Sequence, residues 1–514
     1  MSRMIFSRRA WQSILFALAC TSPLAAQQAS STNTPESTSL RRFTLEECVQ
    51  TALQNNRRRP ASRFAVAAAE AQHRQALSAY WPQLKAQAGY QRMDEAPNFL
   101  FPASNMVIPA QTINTPASTA LITVPAGVLG PTAVQLPVSV PAQSITTEAQ
   151  VFPVPAQDVK LMNPDSYVAS VDLQWLLFDG GLRQGLKEQG RAYVEAMKQE
   201  ARRTDLEVVD SVRRMYFGAI LARQLHQLGA DTLERMDATL KLTETMFQGG
   251  GGRVTKADYL DNKVMVESIR ALVAQLAKNE AISKAALANT MGMPWQASVE
   301  PADSEIPFGP IEIALNALVS TAYEFSPDWK SLEAGLAAGE GAVKTARSGH
   351  SPKLALTGNL HKWWNSYDSG MATDRNKEGW TLGVGIEIPL FEGFLTQNKV
   401  TEAKARLSKL REQRFLLQEG LGLQIKDLFL GLDAARKASD ATQAAMQAAV
   451  ENRELNVRAY QNELVDTEKV IRAQLIEAMM SAQFYKNRYD HAVLQSQLTL
   501  VIGKEISRQI QNAP

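Results

Sequence analysis

The side chains that most often carry out catalysis or bind metals form no catalytic pattern in this 514-residue chain. The five histidines stand at positions 73, 226, 350, 361 and 491, and none has metal-ligand spacing to another histidine or to a cysteine. The glycines at 249–252 are not followed by Lys-Ser/Thr, which excludes a phosphate-binding loop, and we expect a turn there. No nucleophile elbow occurs. The sequence predicts no enzyme, no cofactor and no metal site.

A short phrase with an acid between Phe and Gly occurs twice, as LFDGG at 177–181 and as LFEGF at 390–394. An acid beside glycines could belong to an active site. It also suits a structural joint, because Phe can end a strand, the acid can cap a helix start and Gly allows the bend. We predict strand–helix joints at Phe178, Asp179, Gly180, Phe391, Glu392 and Gly393.

Other landmarks recur in the same order around the two phrases. Pro82 and Pro352 precede them, and Gly292 and Gly503 follow them. This order predicts a duplicated unit of two strands and one long helical hairpin. The first repeat would span 43–299, with strands about 83–94 and 167–178 and a hairpin at 180–293. The second would span 300–507, with strands about 353–361 and 380–390 and a hairpin at 393–503.

The four strands are predicted from alternating apolar and polar residues, clearest before each phrase, and long helices follow each phrase. The fold class is therefore α+β. Each strand has the length that crosses a bilayer at a tilt. Four strands cannot close a barrel, and an open edge in lipid leaves backbone groups unpaired, so several chains would have to share one barrel. A soluble sandwich with one buried face is the alternative.

Residues 97–157 hold ten prolines and one charge, Glu148. Proline excludes a regular helix, and we predict a long apolar loop over 97–160, on the extracellular side. It is either a tolerated insertion or a loop that covers a pore mouth or touches a membrane surface.

The first residues have the layout of a secretory signal, with three arginines before an apolar stretch. We expect a signal peptide at 1–26, with lipidation at Cys20 as the alternative. A flexible lead-in at 27–42 and a tail at 508–514 complete the chain. The net charge of +2 gives no argument for a nucleic-acid partner.

The chain resembles the outer-membrane efflux protein family, the TolC-like channels. The resemblance rests on FTLEECVQTALQNN at 43–56, WPQL at 81–84, LFDGG, VTKADYL at 254–260, LFEGF and YQNELVDTEKV at 460–470. It implies a homotrimer with a twelve-stranded barrel in the outer-membrane lipid bilayer, continued by an α-helical tunnel in the periplasm. It also implies two partners, a periplasmic adaptor (membrane fusion) protein and an inner-membrane efflux pump.

The resemblance places the entrance gate and the adaptor contact at the two hairpin tips. The residues concerned are Gly252, Thr255, Lys256, Asp258, Glu463, Leu464, Val465, Asp466, Thr467, Glu468, Lys469 and Arg472. Glu463 stands where relatives have a glycine. Lys469 and Arg472 stand where TolC narrows its entrance with carboxylates, while Asp466 and Glu468 supply acids nearby.

The function implied is a passive exit duct of a tripartite efflux or type I secretion system. The alternative is a periplasmic coiled-coil adaptor or scaffold of an export system, because adaptors also have long hairpins. The four strands of membrane-spanning length favour the duct.

Overall fold

The computed structural model describes residues 41–95, 98–125, 133–160, 163–249, 254–309, 313–364 and 378–504. The expected signal peptide, Cys20, Gly252 and the tail at 508–514 lie outside these residues. In the described part of the chain, no helix is both long enough and apolar enough to cross a membrane.

The helices fall into two sets with closely matched lengths. They are α1 (Leu45–Asn55), α2 (Arg58–Ser78), α3 (Leu182–Gln248), α4 (Lys256–Thr290), α5 (Leu315–Phe325), α6 (Pro327–Arg347), α7 (Leu395–Gln461) and α8 (Thr467–Ile502). Helices α1 and α5 have 11 residues, α2 and α6 have 21, α3 and α7 have 67, and α4 and α8 have 35 and 36. A 67-residue helix is about 100 Å long.

The described strands fall into one four-stranded sheet, one long ribbon and one short parallel pair. In chain order they are β1 (Arg41–Phe43), β2 (Gln83–Arg92), β3 (Asn98–Phe101), β4 (Ser104–Ile108), β5 (Gln111–Thr115), β6 (Ser118–Val124), β7 (Val134–Val140), β8 (Gln143–Thr147), β9 (Gln150–Val154), β10 (Gln157–Lys160), β11 (Asp165–Phe178), β12 (Val299–Pro301), β13 (Lys353–Trp364) and β14 (Glu378–Glu387). The four-stranded sheet has the antiparallel order β14-β13-β11-β2 and is not closed.

This sheet has one apolar and one polar face, as the alternating pattern predicted. Val171 pairs with Ala86 and Leu360, and Leu360 pairs with Trp380, so apolar side chains line up across all four strands. The next row joins Lys85, Asp172, Asn359 and Thr381. On that polar face the Asn359 amide donates to the Asp172 carboxylate at 2.7 Å.

The strand boundaries agree with the sequence to within two residues, except at two ends. Strand β13 runs to Trp364, three residues beyond the predicted end at 361. Strand β14 stops at Glu387, before Pro389, whereas the alternation predicted a strand as far as 390. Proline has no N–H to give to a ladder, which explains the earlier end.

Two apolar clusters fasten the short helices to the long hairpins. One holds Phe43, Cys48 and Ala52 against Val212 and Tyr216 of α3. The other holds Leu318 and Ala322 of α5 against α7 and α8. Burying such side chains removes apolar surface from water, so these clusters support helices that exceed the usual length.

Gly292 and Gly503 end the two hairpins in the same way. Both have φ +77°. A Cβ on Gly292 would stand 2.6 Å from the Asn55 carbonyl oxygen, and one on Gly503 would stand 2.4 Å from that of Phe325. Each hairpin therefore ends in tight contact with the end of α1 or α5, where a side chain does not fit.

The segment predicted as a loop is instead a paired β-ribbon, which we define as residues 98–125 and 133–160. Its arms pair antiparallel from Asn98–Lys160 to Val124–Val134 without a change of register. The prolines suggested irregular structure, but five of the eight in the ribbon fall in the two-residue gaps between strands, where a missing N–H costs little. Pro137 and Pro153 lie inside β7 and β9.

Candidate functional site

The first hairpin tip closes with a capped helix start. Helix α3 ends at Gln248, and Thr255 precedes α4. The Thr255 N–H donates to the Asp258 carboxylate at 2.8 Å, and the Asp258 N–H donates to the Thr255 hydroxyl at 3.2 Å. This reciprocal capping box fixes the start of α4. Asp258, which the sequence placed at the gate, thus has a structural role within its own chain.

The second tip turns through a residue in the left-handed conformation. Glu463 has φ +58°, and its N–H donates to the Tyr460 carbonyl. The resemblance places this glutamate where relatives have a glycine. The backbone nevertheless keeps the conformation that glycine adopts most easily.

The candidate tip residues divide by exposure and by partners. Thr255, Lys256, Glu463, Leu464, Asp466, Glu468, Lys469 and Arg472 are exposed, Asp258 and Val465 are half-buried, and Thr467 is buried. Glu468 pairs with Arg472 at 3.0 Å on the surface of α8. The charged groups of Asp466 and Lys469 make no hydrogen bond or ion pair with any described residue.

A buried polar cluster lies beneath both tips and joins all four long helices. This tip cluster consists of Thr239, Thr243, Asn262, Tyr460, Thr467 and Gln474, each less than 9% exposed. The Tyr460 hydroxyl lies 2.8 Å from that of Thr243 and 3.0 Å from that of Thr467. The Asn262 amide donates to Thr243, and the Gln474 amide donates to Thr239.

The protons of this cluster can be assigned by counting donors. The single Thr243 proton goes to the Thr239 carbonyl at 2.8 Å. Thr243 must then accept from Tyr460, and Tyr460 must accept from Thr467. The result is a directed chain from α8 through α7 to α3. Bonds in such a chain strengthen one another, and a buried group left unpaired is costly.

Two amide oxygens in the cluster remain unpaired. Asn262 Oδ1 and Gln474 Oε1 are buried and have no hydrogen-bond partner among the described residues. Below them, the buried Glu477 carboxylate lies 2.9 Å from Arg453 and 3.7 Å from Arg235. The packing of the two hairpins therefore depends on polar contacts in this region as well as on apolar contacts.

The first strand–helix joint is held by Asp179, as predicted. Its carboxylate accepts from the Gly181 N–H at 3.0 Å and from the Arg183 N–H at 2.9 Å. The Arg183 guanidinium lies 2.6 Å from the same carboxylate and also donates to the Leu176 carbonyl at 2.7 Å. Burial alone would raise the pKa of Asp179, but these donors outweigh it and lower the pKa.

The second joint has the same backbone but a different cap. Gly393 has φ +59° and Phe394 has φ +65°, close to Gly180 at +64°. The Glu392 carboxylate accepts from the Thr396 hydroxyl and not from a backbone N–H. Asp179 therefore caps the start of α3 through backbone N–H groups, whereas Glu392 bonds a side chain in the first turn of α7.

The sequence matches the model of the family described as outer membrane efflux protein, over residues 136–293 and 318–504. The chain belongs to this family. Protein CyaE of Bordetella pertussis is 27% identical over 286 residues, which cover 54% of this chain and 57% of that protein.

Solved structures of membrane proteins share the fold of this chain. A membrane protein from Pseudomonas aeruginosa superposes with a TM-score of 0.68 at 19% identity, over 90% of both chains. The CmeC outer membrane channel of Campylobacter jejuni superposes with 0.68 at 15% identity, over 91% of this chain and 88% of its own. The outer membrane protein VceC of Vibrio cholerae superposes with a TM-score of 0.67 at 15% identity, over 90% of this chain and 96% of its own.

The family is that of outer membrane efflux proteins, and the fold is shared with solved outer membrane channels. Among the described residues, no group of three or more His, Cys, Asp or Glu side chains has a metal-binding arrangement. The candidate site consists of the helix ends at the two tips and of the buried tip cluster beneath them.

The sequence identified the exposed tip residues but missed most of the tip cluster. Thr467 was among the candidates, whereas Thr239, Thr243, Asn262, Tyr460 and Gln474 were not. A usable signal exists in α3, where Thr232, Met236, Thr239 and Thr243 follow the spacing of a buried helix face and are all buried. Threonines on an apolar stripe mark a buried polar layer.

Proposed function

We propose that three copies of this chain form a passive exit duct across the outer membrane and the periplasm. The duct would serve a tripartite efflux or type I secretion system. An inner-membrane pump would supply the energy and a periplasmic adaptor would bind the helical tips.

The observation that carries this proposal is the open, two-faced sheet at one end of helices about 100 Å long. The apolar face suits lipid and the polar row through Asp172 and Asn359 suits a water-filled lumen. The outer edges of β2 and β14 have no described strand beside them in this chain. In lipid they require partners, and twelve strands from three copies would close the sheet.

The matched helix lengths of the two halves support a duplicated unit. Each half has helices of 11, 21 and 67 residues, followed by one of 35 or 36. Three chains would then place six similar hairpins around the tunnel, which suits a regular tube.

The exposed tip charges support a role in gating and adaptor binding. Asp466 and Lys469 are exposed, and neither side chain is bound by a described residue of its own chain. In a trimer they would lie near the neighbouring copies or near an adaptor. We propose that the tips form the periplasmic entrance and that the tip cluster holds each pair of hairpins together.

The family match supports a duct over the alternative of a periplasmic adaptor. A direct test is to fractionate cell envelopes and then record from the purified protein in planar bilayers. A duct should be found in the outer membrane as a trimer that dissociates on heating in SDS, and should conduct ions in discrete steps. A monomeric periplasmic protein without conductance would refute the proposal.

A further inference from the structure

The ribbon has a sequence repeat of seven residues that the duct does not explain. Its two-residue gaps between strands are Pro102-Ala103, Pro109-Ala110 and Pro116-Ala117 on the outgoing arm, and Pro141-Ala142, Glu148-Ala149 and Pro155-Ala156 on the returning arm. Because the arms keep one register, each gap faces the corresponding gap across the ribbon. Each arm is about 90 Å long at roughly 3.3 Å per residue.

Between the gaps, each segment of the ribbon carries an exposed apolar cross-strand pair. The pairs are Met106–Phe152, Ile113–Ile145 and Ile122–Leu136. Ile113 and Ile145 are 61% and 62% exposed. The neighbouring rows of the middle segment are polar, with Thr112 opposite Thr146. Monomeric soluble proteins rarely leave a long series of large apolar side chains exposed to water.

The side chains and prolines of the ribbon limit what could cover its apolar pairs. Its arms contain three charged residues, Glu148, Asp158 and Lys160. One lysine offers little attraction to anionic headgroups, which are bound by clusters of Lys and Arg. The regular prolines also hinder the addition of a further strand at either edge, because each lacks an N–H. Contact must therefore be made face to face, through uncharged side chains.

The spacing of the apolar pairs indicates what covers them. They lie seven and then nine residues apart along the outgoing arm, and because both spacings are odd, successive pairs alternate between the two faces of a flat strand. A flat membrane surface would cover the pairs of one face only. Strands twist, and a half-turn between successive pairs would bring the pairs to one side. In either case, another copy of the ribbon carries pairs at the same spacing and is the surface that matches them.

The position of the ribbon in the chain would bring copies of it close together in a trimer. The ribbon continues β2 and β11, and β2 is one outer edge of the open sheet. If three sheets close a barrel, three ribbons leave it at equal spacing around one axis. This step rests on the proposed trimer.

We propose that the ribbons of the three copies pack against one another through their apolar pairs and form a trimeric stalk beyond the sheet. The stalk extends the duct away from the helical tunnel. Its contact is between copies of this chain and needs no other partner.

Cross-linking of the full chain in intact outer membranes tests this proposal. Ile113→Cys places a thiol on the apolar row, and Thr112→Cys places one on the adjacent polar row. Cys48 is buried, and burial raises its pKa to about 12, so the wild-type chain is a suitable unreactive control. A short bismaleimide should produce covalent dimers and trimers with I113C, and far fewer with T112C. Adding Ile145→Lys should abolish the I113C products.

The trimer is measured separately, on unheated SDS gels of the same membranes. Equal cross-linking of I113C and T112C in a protein that remains a trimer would overturn the stalk and leave the duct intact. Quenching of a fluorophore at I113C by brominated lipids would also overturn it, because lipid would then cover the ribbon. Absence of a trimer from wild-type membranes would refute the proposed duct and the proposed stalk together.

Discussion

The hydroxyl of Tyr460, near the end of α7, lies 2.8 Å from the hydroxyl of Thr243 on α3, and the contact is fully buried. It joins the two helical hairpins of one chain just below their tips. Any opening of the tips that separates α7 from α3 must break this bond and leave two hydroxyls to find new partners.

Replacing Tyr460 with Phe should loosen the tips without disturbing the rest of the chain. The loss of two buried hydrogen bonds costs about 1–3 kcal/mol. Amide hydrogen exchange at the end of α7 and the start of α8 should then be about tenfold faster or more. Tyr193→Phe on the exposed side of α3 is the control. Equal exchange in Y460F and Y193F would show that the Thr243–Tyr460 bond does not hold the tips.

Glu463→Gly should stabilise the second tip. A residue other than glycine in the left-handed conformation costs about 1–2 kcal/mol. Glycine avoids this cost, but it loses more conformational entropy on folding, which offsets about 0.5–1 kcal/mol of the gain. Exchange in the 462–467 turn should slow by up to about fivefold, consistent with a gain of under about 1 kcal/mol. Asn462→Gly, at φ −94°, should speed it. The prediction is wrong if amide exchange in this turn is as fast in E463G as in N462G.

Asp179→Asn should weaken the first joint in a pH-dependent way. The folded pKa is lowered, so the carboxylate contributes stability above its unfolded pKa of about 3.9 and loses it as the pH falls through the folded pKa. At pH 7 the variant should be less stable by about 1–3 kcal/mol, because a cap and a partner of Arg183 are lost.

The measurement for this joint is thermal unfolding of the purified protein between pH 7 and pH 3. The difference in midpoint between wild type and D179N should shrink below pH ~4, where the wild-type carboxyl becomes protonated. A difference that stays constant over this range would mean that the charge of Asp179 does not stabilise the joint.

Removing a tip charge should widen the entrance. If Asp466 or Lys469 closes the entrance by contacting a neighbouring copy, Asp466→Ala and Lys469→Ala should each raise single-channel conductance in planar bilayers. Glu195→Ala, on α3 at a distance from the tips, should leave conductance unchanged. Unchanged conductance in both tip variants would show that neither residue closes the entrance.

The periodic parts of this fold could be read from the sequence. The alternation at 167–178 predicted β11, which spans Asp165–Phe178, and the proline-free stretches predicted α3 and α7. Both signals follow directly from backbone geometry and need no knowledge of distant contacts.

The parts that depend on pairing were missed. Single prolines predict a loop here, whereas the seven-residue period of the gaps, matched across the two arms, indicates paired strands. The tip cluster was missed because Thr243 and Tyr460 are 217 residues apart and meet only when the hairpins pack. Helices α2 and α6, with 21 residues each, lie outside the predicted hairpins and were not predicted.

Electron cryo-microscopy of the protein extracted from outer membranes tests the central claim most directly. The account predicts three chains around one axis, with β2 of each copy paired to β14 of the next in a closed sheet of twelve strands. A particle with one chain, or one in which the edges of β2 and β14 remain unpaired in the membrane, would contradict it.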